Sequence, residues 1–217
     1  MSGAWPNSGM RDRVAVKPPR NDHLEAMTIY SWLIVALWLI FMACWAVMAM
    51  GAKRTVGLRF WGREIGLRLG VLVLIVLALR IPAVRHAVQD ARGHAAGISP
   101  LLGLGGVVLC ALGIAFAIYA RVHLGRNWGM PMTRKENPEL VSSGPYAYVR
   151  HPIYTGILVA VFGSAIGTSP FWLIPFALLG IYFVYSARSE EKLMLEQFPE
   201  QYPQYMRRTK MLVPFVL

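Results

Sequence analysis

Apolar positions along this chain come in long runs, and the charged residues collect in the segments between them. From Ala26 to Ala52 no residue is charged, which meets the roughly 20-residue requirement for a membrane-spanning helix. Ile65 to Pro82 forms a second run, with Arg68 and Arg80 near its ends, where long basic side chains reach the interface. Ala95 to Ala120 is a third. Pro152 to Ala187 is again uncharged, interrupted by "GTSP" at Gly167–Pro170, which is turn chemistry. That pattern predicts two short helices back to back in a hairpin. The expected fold is therefore all-α and polytopic, with about five transmembrane helices, a C-terminal helical hairpin and an amphipathic cytoplasmic tail.

Three parts follow from the pattern: a polar N-terminal tail (1–25), transmembrane helices 1–3 (26–120), and a C-terminal core with a loop, hairpin and tail (121–217). In the tail, Leu195, Phe198, Tyr202 and Tyr205 recur at helical spacing, while Pro199 and Pro203 oppose one unbroken helix. Glycines at Gly62, Gly66 and Gly70, and at Gly163 and Gly167, have the small-xxx-small spacing of closely packed helices. Gly103, Gly105 and Gly106 superficially resemble a nucleotide-binding loop. They lie inside a span with no strand before it, so the dinucleotide reading fails.

Composition agrees with this picture. Of the residues, 56% are hydrophobic and 15% charged, at a mean hydropathy of +0.46, too apolar for an ordinary soluble domain. The net charge of +11 raises nucleic acid as a partner, but the basic residues are scattered through the connections, without a tract interleaved with aromatics. No nucleic-acid partner is expected. Cys44 and Cys110 sit inside apolar runs as small hydrophobes, and no Cys/His spacing suits a metal. Fifteen Lys and Arg residues fall on one side of the predicted spans and seven on the other. The positive-inside rule then puts the loop before the hairpin and the C-terminal tail together in the cytoplasm. The expected location is a bacterial inner membrane, with the bilayer itself as a partner.

The stretch "GPYAYVRHPIYTG", Gly144–Gly156, sits where a charged segment meets the hairpin. A Pro- and Gly-rich entry to a membrane helix is tolerated where protein buries it or it lines a cavity. Taken singly, its parts have ordinary readings. His151 before a proline suits a helix entry, the tyrosines suit an interfacial belt, and Glu190 and Glu191 suit a solvated tail. His123 and Trp128, at the end of the third span, read as interface anchors.

Together, "HLGRNWGMPMTRKENPELVSSGPYAYVRHPIYTGIL" and "SEEKLMLEQFPEQYPQY" resemble the isoprenylcysteine carboxyl methyltransferase family and its phospholipid methyltransferase relatives. The resemblance covers about the last 100 residues. It implies a membrane-embedded methyltransferase that takes S-adenosyl-L-methionine and a lipidic or small methyl acceptor entering from the bilayer. By motif, Pro138, Glu139, Leu140 and Val141, with Gly144 and Tyr146, correspond to the adenosine side. His151, Pro152, Ile153 and Tyr154 correspond to the wall near the methionine part, and Glu190 and Glu191 reach in from the tail. Arg150, His151 and Glu190 are the expected catalytic group, with Arg150 a partner for a carboxylate. The chemistry agrees, because a sulfonium cation favours anionic and aromatic neighbours. One departure concerns substrate: where the resemblance implies an arginine one turn before the glutamate pair, this chain has Ser186, with Arg188 two residues before Glu190.

The acceptor is left open between a carboxylate, a phospholipid amine and a thiol. Two other classes compete: a sterol-reductase-like enzyme, which would bind a nicotinamide cofactor, and a transporter or scaffold, which would tolerate loss of Glu190 and His151.

Overall fold

The computed structural model describes residues 22–49, 55–56, 99–125, 134–135 and 139–214. The predicted span Ile65–Pro82, the glycines Gly62, Gly66 and Gly70, Trp128 and Pro138 lie outside the described residues. Five helices are described: α1 (Asp22–Ala49), α2 (Pro100–Leu124), α3 (Pro152–Gly167), α4 (Leu173–Gln197) and α5 (Gln201–Arg208). Helical structure dominates. Thr55–Val56 and Arg134–Lys135 form a two-residue antiparallel pair, and Val149 makes an isolated parallel bridge to Lys210.

Each helix end has a local cause. Ser99 caps α2, its side chain accepting from the Leu102 amide, and Pro100 takes the first position, where a missing N–H costs nothing. At the other end the chain leaves through Gly125 at φ 56°, a left-handed value that glycine adopts freely. Pro152 opens α3 in the same way. Between α3 and α4, Ser169 caps a short 3₁₀ turn at Pro170–Trp172, so the "GTSP" hairpin forms where the turn residues predict it.

The hairpin differs from expectation in its second arm. That helix was expected to stop near Ala187, but α4 runs for 25 residues to Gln197, through Arg188, Glu190, Glu191 and Lys192. These are good helix formers, and no breaker occurs until Pro199. Glu190 and Glu191 are therefore carried on the second arm of the hairpin itself and not on a separate tail helix. The tail does break at Pro199, and α5 follows as a separate helix with Tyr202 and Tyr205 buried and Arg207 and Arg208 exposed.

Packing centres on α2 against α3. Along α2, Gly103, Gly106, Cys110, Gly113 and Ala117 are buried; along α3, Gly156, Ala160, Gly163 and Gly167 answer them. A Cβ on Gly113 would run into the backbone nitrogen of Ala160, and one on Gly163 into that of Cys110. The two backbones touch, as small residues permit in lipid. Helix α1 joins through Ile34 and Phe41, and Trp38 Nε1 donates to Ser164 Oγ at 3.1 Å.

Among the described residues, three helices are long and apolar enough to cross a membrane: Ile29–Met48, Pro100–Leu124 and Pro170–Gln197. Apolar α3 has 16 residues, so it rises only about 24 Å against a hydrocarbon core of about 30 Å. Its first residue, Pro152, is buried. The chain is an integral membrane protein.

Candidate functional site

Three pieces of chain meet at the N-terminus of α3, and the candidate recess lies among them. The first is the turn Gly144–Ala147, which buries Pro145 and Tyr146. Gly144 has φ 59°, and a Cβ there would meet the His123 ring, so glycine is required on both counts. His123 Nε2 lies 3.0 Å from Ser143 Oγ, pinning the end of α2 to this turn. Tyr146 is held at both ends: its hydroxyl donates to the Ala120 carbonyl at 3.4 Å, and its own carbonyl accepts from Tyr205 Oη at 2.6 Å.

The second piece is residues 149–155, laid beside the chain end. The Arg150 and His151 amides donate to the Lys210 and Met211 carbonyls, and Thr155 Oγ1 donates to the Leu212 carbonyl at 2.6 Å. The third is the charged end of α4. Arg150 Nε donates to Glu191 Oε1 at 2.6 Å, with both side chains less than a tenth exposed. Its Nη1 donates to the Thr209 carbonyl at 2.5 Å. Tyr154 Oη donates to Glu190 Oε1 at 2.5 Å, and Ser186 Oγ lies 3.0 Å from the same oxygen and 3.1 Å from Tyr154 Oη.

Aromatic rings face this acidic pair. His151 stacks on Tyr154 with centroids 5.5 Å apart and planes at 6°, and Tyr154 stacks on Phe183 at 4.3 Å and 2°. His151 Nδ1 is 3.7 Å from Glu190 Oε2, and its buried Nε2 is 3.4 Å from Glu191 Oε1 without the alignment of a hydrogen bond. A buried ring nitrogen left without a bond is costly unless something completes it. Around the recess the Tyr146, Tyr202 and Tyr205 hydroxyls are all raised above the ordinary phenol value, chiefly by burial, so they stay neutral donors.

The structure thus brings Tyr146, Arg150, His151, Pro152, Tyr154, Glu190 and Glu191 around one recess. Ile153 is half-buried beside them. Glu139 is exposed, and Leu140 and Val141 are half-buried, on the approach to the Gly144 turn. Arg150, expected to meet a ligand carboxylate, has its Nε on the protein's own Glu191. His123, expected as an interface anchor, is bonded into the turn. Phe183, Thr155 and Thr209 were not anticipated, because an apolar ring inside a span and two threonines carry no motif. Ser186 had a readable signal in its place one turn before Glu190.

The residues fit a sulfonium cofactor by their chemistry: Glu190 beside a three-ring stack suits a cationic sulfur, and the unbonded His151 nitrogen is a ready polar contact. Residues 102–201 match the family described as phospholipid methyltransferase. Cobalt-zinc-cadmium resistance protein CzcN of Cupriavidus metallidurans is 32% identical over 54% of this chain and 51% of its own length. Methanethiol S-methyltransferase 1 of Bradyrhizobium diazoefficiens is 36% identical over 32% of this chain and 24% of its own. Protein-S-isoprenylcysteine O-methyltransferase B of Arabidopsis thaliana is 30% identical over 51% and 58%. The chain therefore spans at most about half to three-fifths of these relatives. A solved eukaryotic intramembrane Ras methyltransferase, isoprenylcysteine carboxyl methyltransferase, shares the fold over 61% of this chain and 51% of its own, with a TM-score of 0.51 and 23% identity. Over residues 102–201, from α2 through the start of α5, the chain is thus similar to the phospholipid methyltransferase family.

Proposed function

We propose that the chain is a membrane methyltransferase that takes its methyl group from S-adenosylmethionine and delivers it to a lipidic acceptor arriving laterally from the bilayer. The observation that carries this reading is the part-buried pairing of Glu190 with the His151–Tyr154–Phe183 stack. When bound, S-adenosylmethionine supplies an electrophilic methyl group on a cationic sulfur. Glu190, fixed by Tyr154 and Ser186, holds negative charge where that cation is favoured, and the rings add attraction through their faces. Tyr146 and the Glu139–Val141 approach serve the adenosine side. The Arg150–Glu191 pair binds the chain end over the recess and keeps the two glutamates at different tasks. Methyl transfer is an in-line displacement, so holding the partners aligned and excluding water supply much of the acceleration. The recess faces the cytoplasm on this reading, in keeping with the distribution of basic residues.

A lipidic acceptor is favoured by a shallow, open groove of about 500 Å³ along α4, lined by Phe176, Ala177, Gly180, Ile181, Val184, Tyr185 and Arg188. The groove is apolar along its length and ends in a cation two residues before Glu190, which suits an acyl or prenyl chain carrying a carboxylate. The relatives' names include both a prenylcysteine and a small thiol as acceptors. The test is transfer of labelled methyl from S-adenosylmethionine by the purified chain to an S-farnesylcysteine analogue and, separately, to a short alkyl thiol. Label in the farnesyl carboxylate, lost in Glu190→Gln, is the expected result. Label only in the thiol overturns the lipidic acceptor, and no transfer alongside nicotinamide-dependent sterol reduction overturns the methyltransferase.

A further inference from the structure

A second pocket lies at the same end of the bundle and is not used by this chemistry. It encloses about 370 Å³, and its walls include Tyr148, Arg150, Arg207, Arg208, Lys210 and Pro214. His151, Tyr154, Glu190 and Glu191 do not line it. Arg207, Arg208 and Lys210 are exposed, and none has a carboxylate partner among the described residues. Three cations line one cavity, with no anion paired to them among the described residues. At its base Arg150 is tied to the carbonyls of Thr209 and Met206, so the floor of the pocket is rigid.

The geometry points to a binding site for the phosphate headgroup of an anionic phospholipid. Phosphate matches the charge, since Arg and Lys are the side chains that hold phosphate oxygens through charge-assisted hydrogen bonds. Depth selects a lipid as the source. Residues 147–150 lie two residues and more before Pro152, where apolar α3 begins, which sets the pocket beside the apolar helices. Tyr148 is 70% exposed beside it, an amphipathic ring of the kind that concentrates at headgroup level. A basic cluster at that level attracts anionic lipid. Arg150 lines this pocket and also pairs with Glu191, so a bound headgroup sits one side chain away from the recess. The inference rests on the membrane setting and not on the methyltransferase reading.

The experiment titrates the full chain in uncharged detergent with three probes: short-chain phosphatidylglycerol, phosphatidylcholine of the same chain length, and inorganic phosphate. Saturable binding of phosphatidylglycerol, weakened about tenfold or more in the triple variant Arg207→Gln, Arg208→Gln, Lys210→Gln and by added salt, is the expected result. Phosphatidylcholine binds at least about tenfold more weakly, because its headgroup is neutral overall. In the same variant S-adenosylhomocysteine affinity is unchanged. Should the triple variant not fold, Arg208→Gln and Lys210→Gln are titrated singly, and each is expected to weaken phosphatidylglycerol alone. Equal affinity for inorganic phosphate overturns the lipid source, equal affinity for both lipids overturns a charge-selective site, and unaltered phosphatidylglycerol binding in the variants overturns the location. Parallel loss of S-adenosylhomocysteine binding overturns its separateness from the recess. Phosphatidylglycerol binding by a chain that ignores S-adenosylhomocysteine supports this inference while removing the methyltransferase reading.

Discussion

Arg150 ties three distant pieces of chain together: the entry to α3, Glu191 on α4, and the Thr209 carbonyl beyond α5. Truncating one member of a buried ion pair strands the other, at a cost of about 3–5 kcal/mol. Arg150→Ala is therefore expected to lower stability by about 3 kcal/mol, read as a drop in the unfolding midpoint in detergent. Arg150→Lys keeps the charge but not the planar fork that reaches both the carboxylate and the carbonyl, so it is expected to recover only part of that loss. Tyr154→Phe separates stacking from hydrogen bonding. It keeps the ring on Phe183 and removes the donor to Glu190, a bond to a charged group worth about 1.5–3 kcal/mol. The expected outcome is a folded chain with at least about tenfold weaker S-adenosylmethionine binding, measured by calorimetry without an acceptor. The sequence announced Tyr154, His151 and the glutamates through their motif. It did not reveal that Arg150 meets Glu191, because a contact across 41 positions depends on where the hairpin turns and how far α4 continues.

At the scale of elements, the crossing of α2 and α3 and the docking of α5 position the recess. Gly163→Leu would drive a side chain into the Cys110 backbone, whereas Gly180 has open space where a Cβ would go. The former is expected to cost at least about 1–3 kcal/mol by overpacking, and Gly180→Ala to stay within about 0.5 kcal/mol, both read from unfolding in detergent. Docking of α5 should respond to alkaline pH. Burial raises the Tyr146, Tyr202 and Tyr205 phenols, so the folded form favours their neutral state. That contribution is complete below about pH 10, the ordinary phenol value, and is lost as pH rises through the raised folded values. Phenolate absorbance is expected to appear in step with release of the tail to protease, and free ionisation of all tyrosines in a still-docked tail would contradict the account. The turn between α3 and α4 was legible from "GTSP", and the end of α4 from Pro199. The length of α4 was not, because charged residues were read as leaving the helix when they are also good helix formers.

At the scale of the whole molecule, the mostly helical membrane character was legible from the uncharged runs alone, and among the described residues three helices of spanning length carry it. The expected count of five is not reached among the described residues. The second predicted span lies outside them, and α3 is shorter than a full crossing. The site was legible in a different way, through residue types that keep a fixed order across two segments. What brings those segments together is the hairpin, which returns the chain to the side it left, so that Glu190 meets Tyr154 and His151 at the N-terminus of α3. The central claim is that this recess holds S-adenosylmethionine. Its most direct test is isothermal titration of the folded chain in detergent with S-adenosylmethionine in the absence of an acceptor, with S-adenosylhomocysteine, which lacks the sulfonium charge, as the comparison. Saturable binding, weakened in Glu190→Ala and His151→Ala without loss of fold, is the predicted result; no binding by the folded wild-type chain would contradict it.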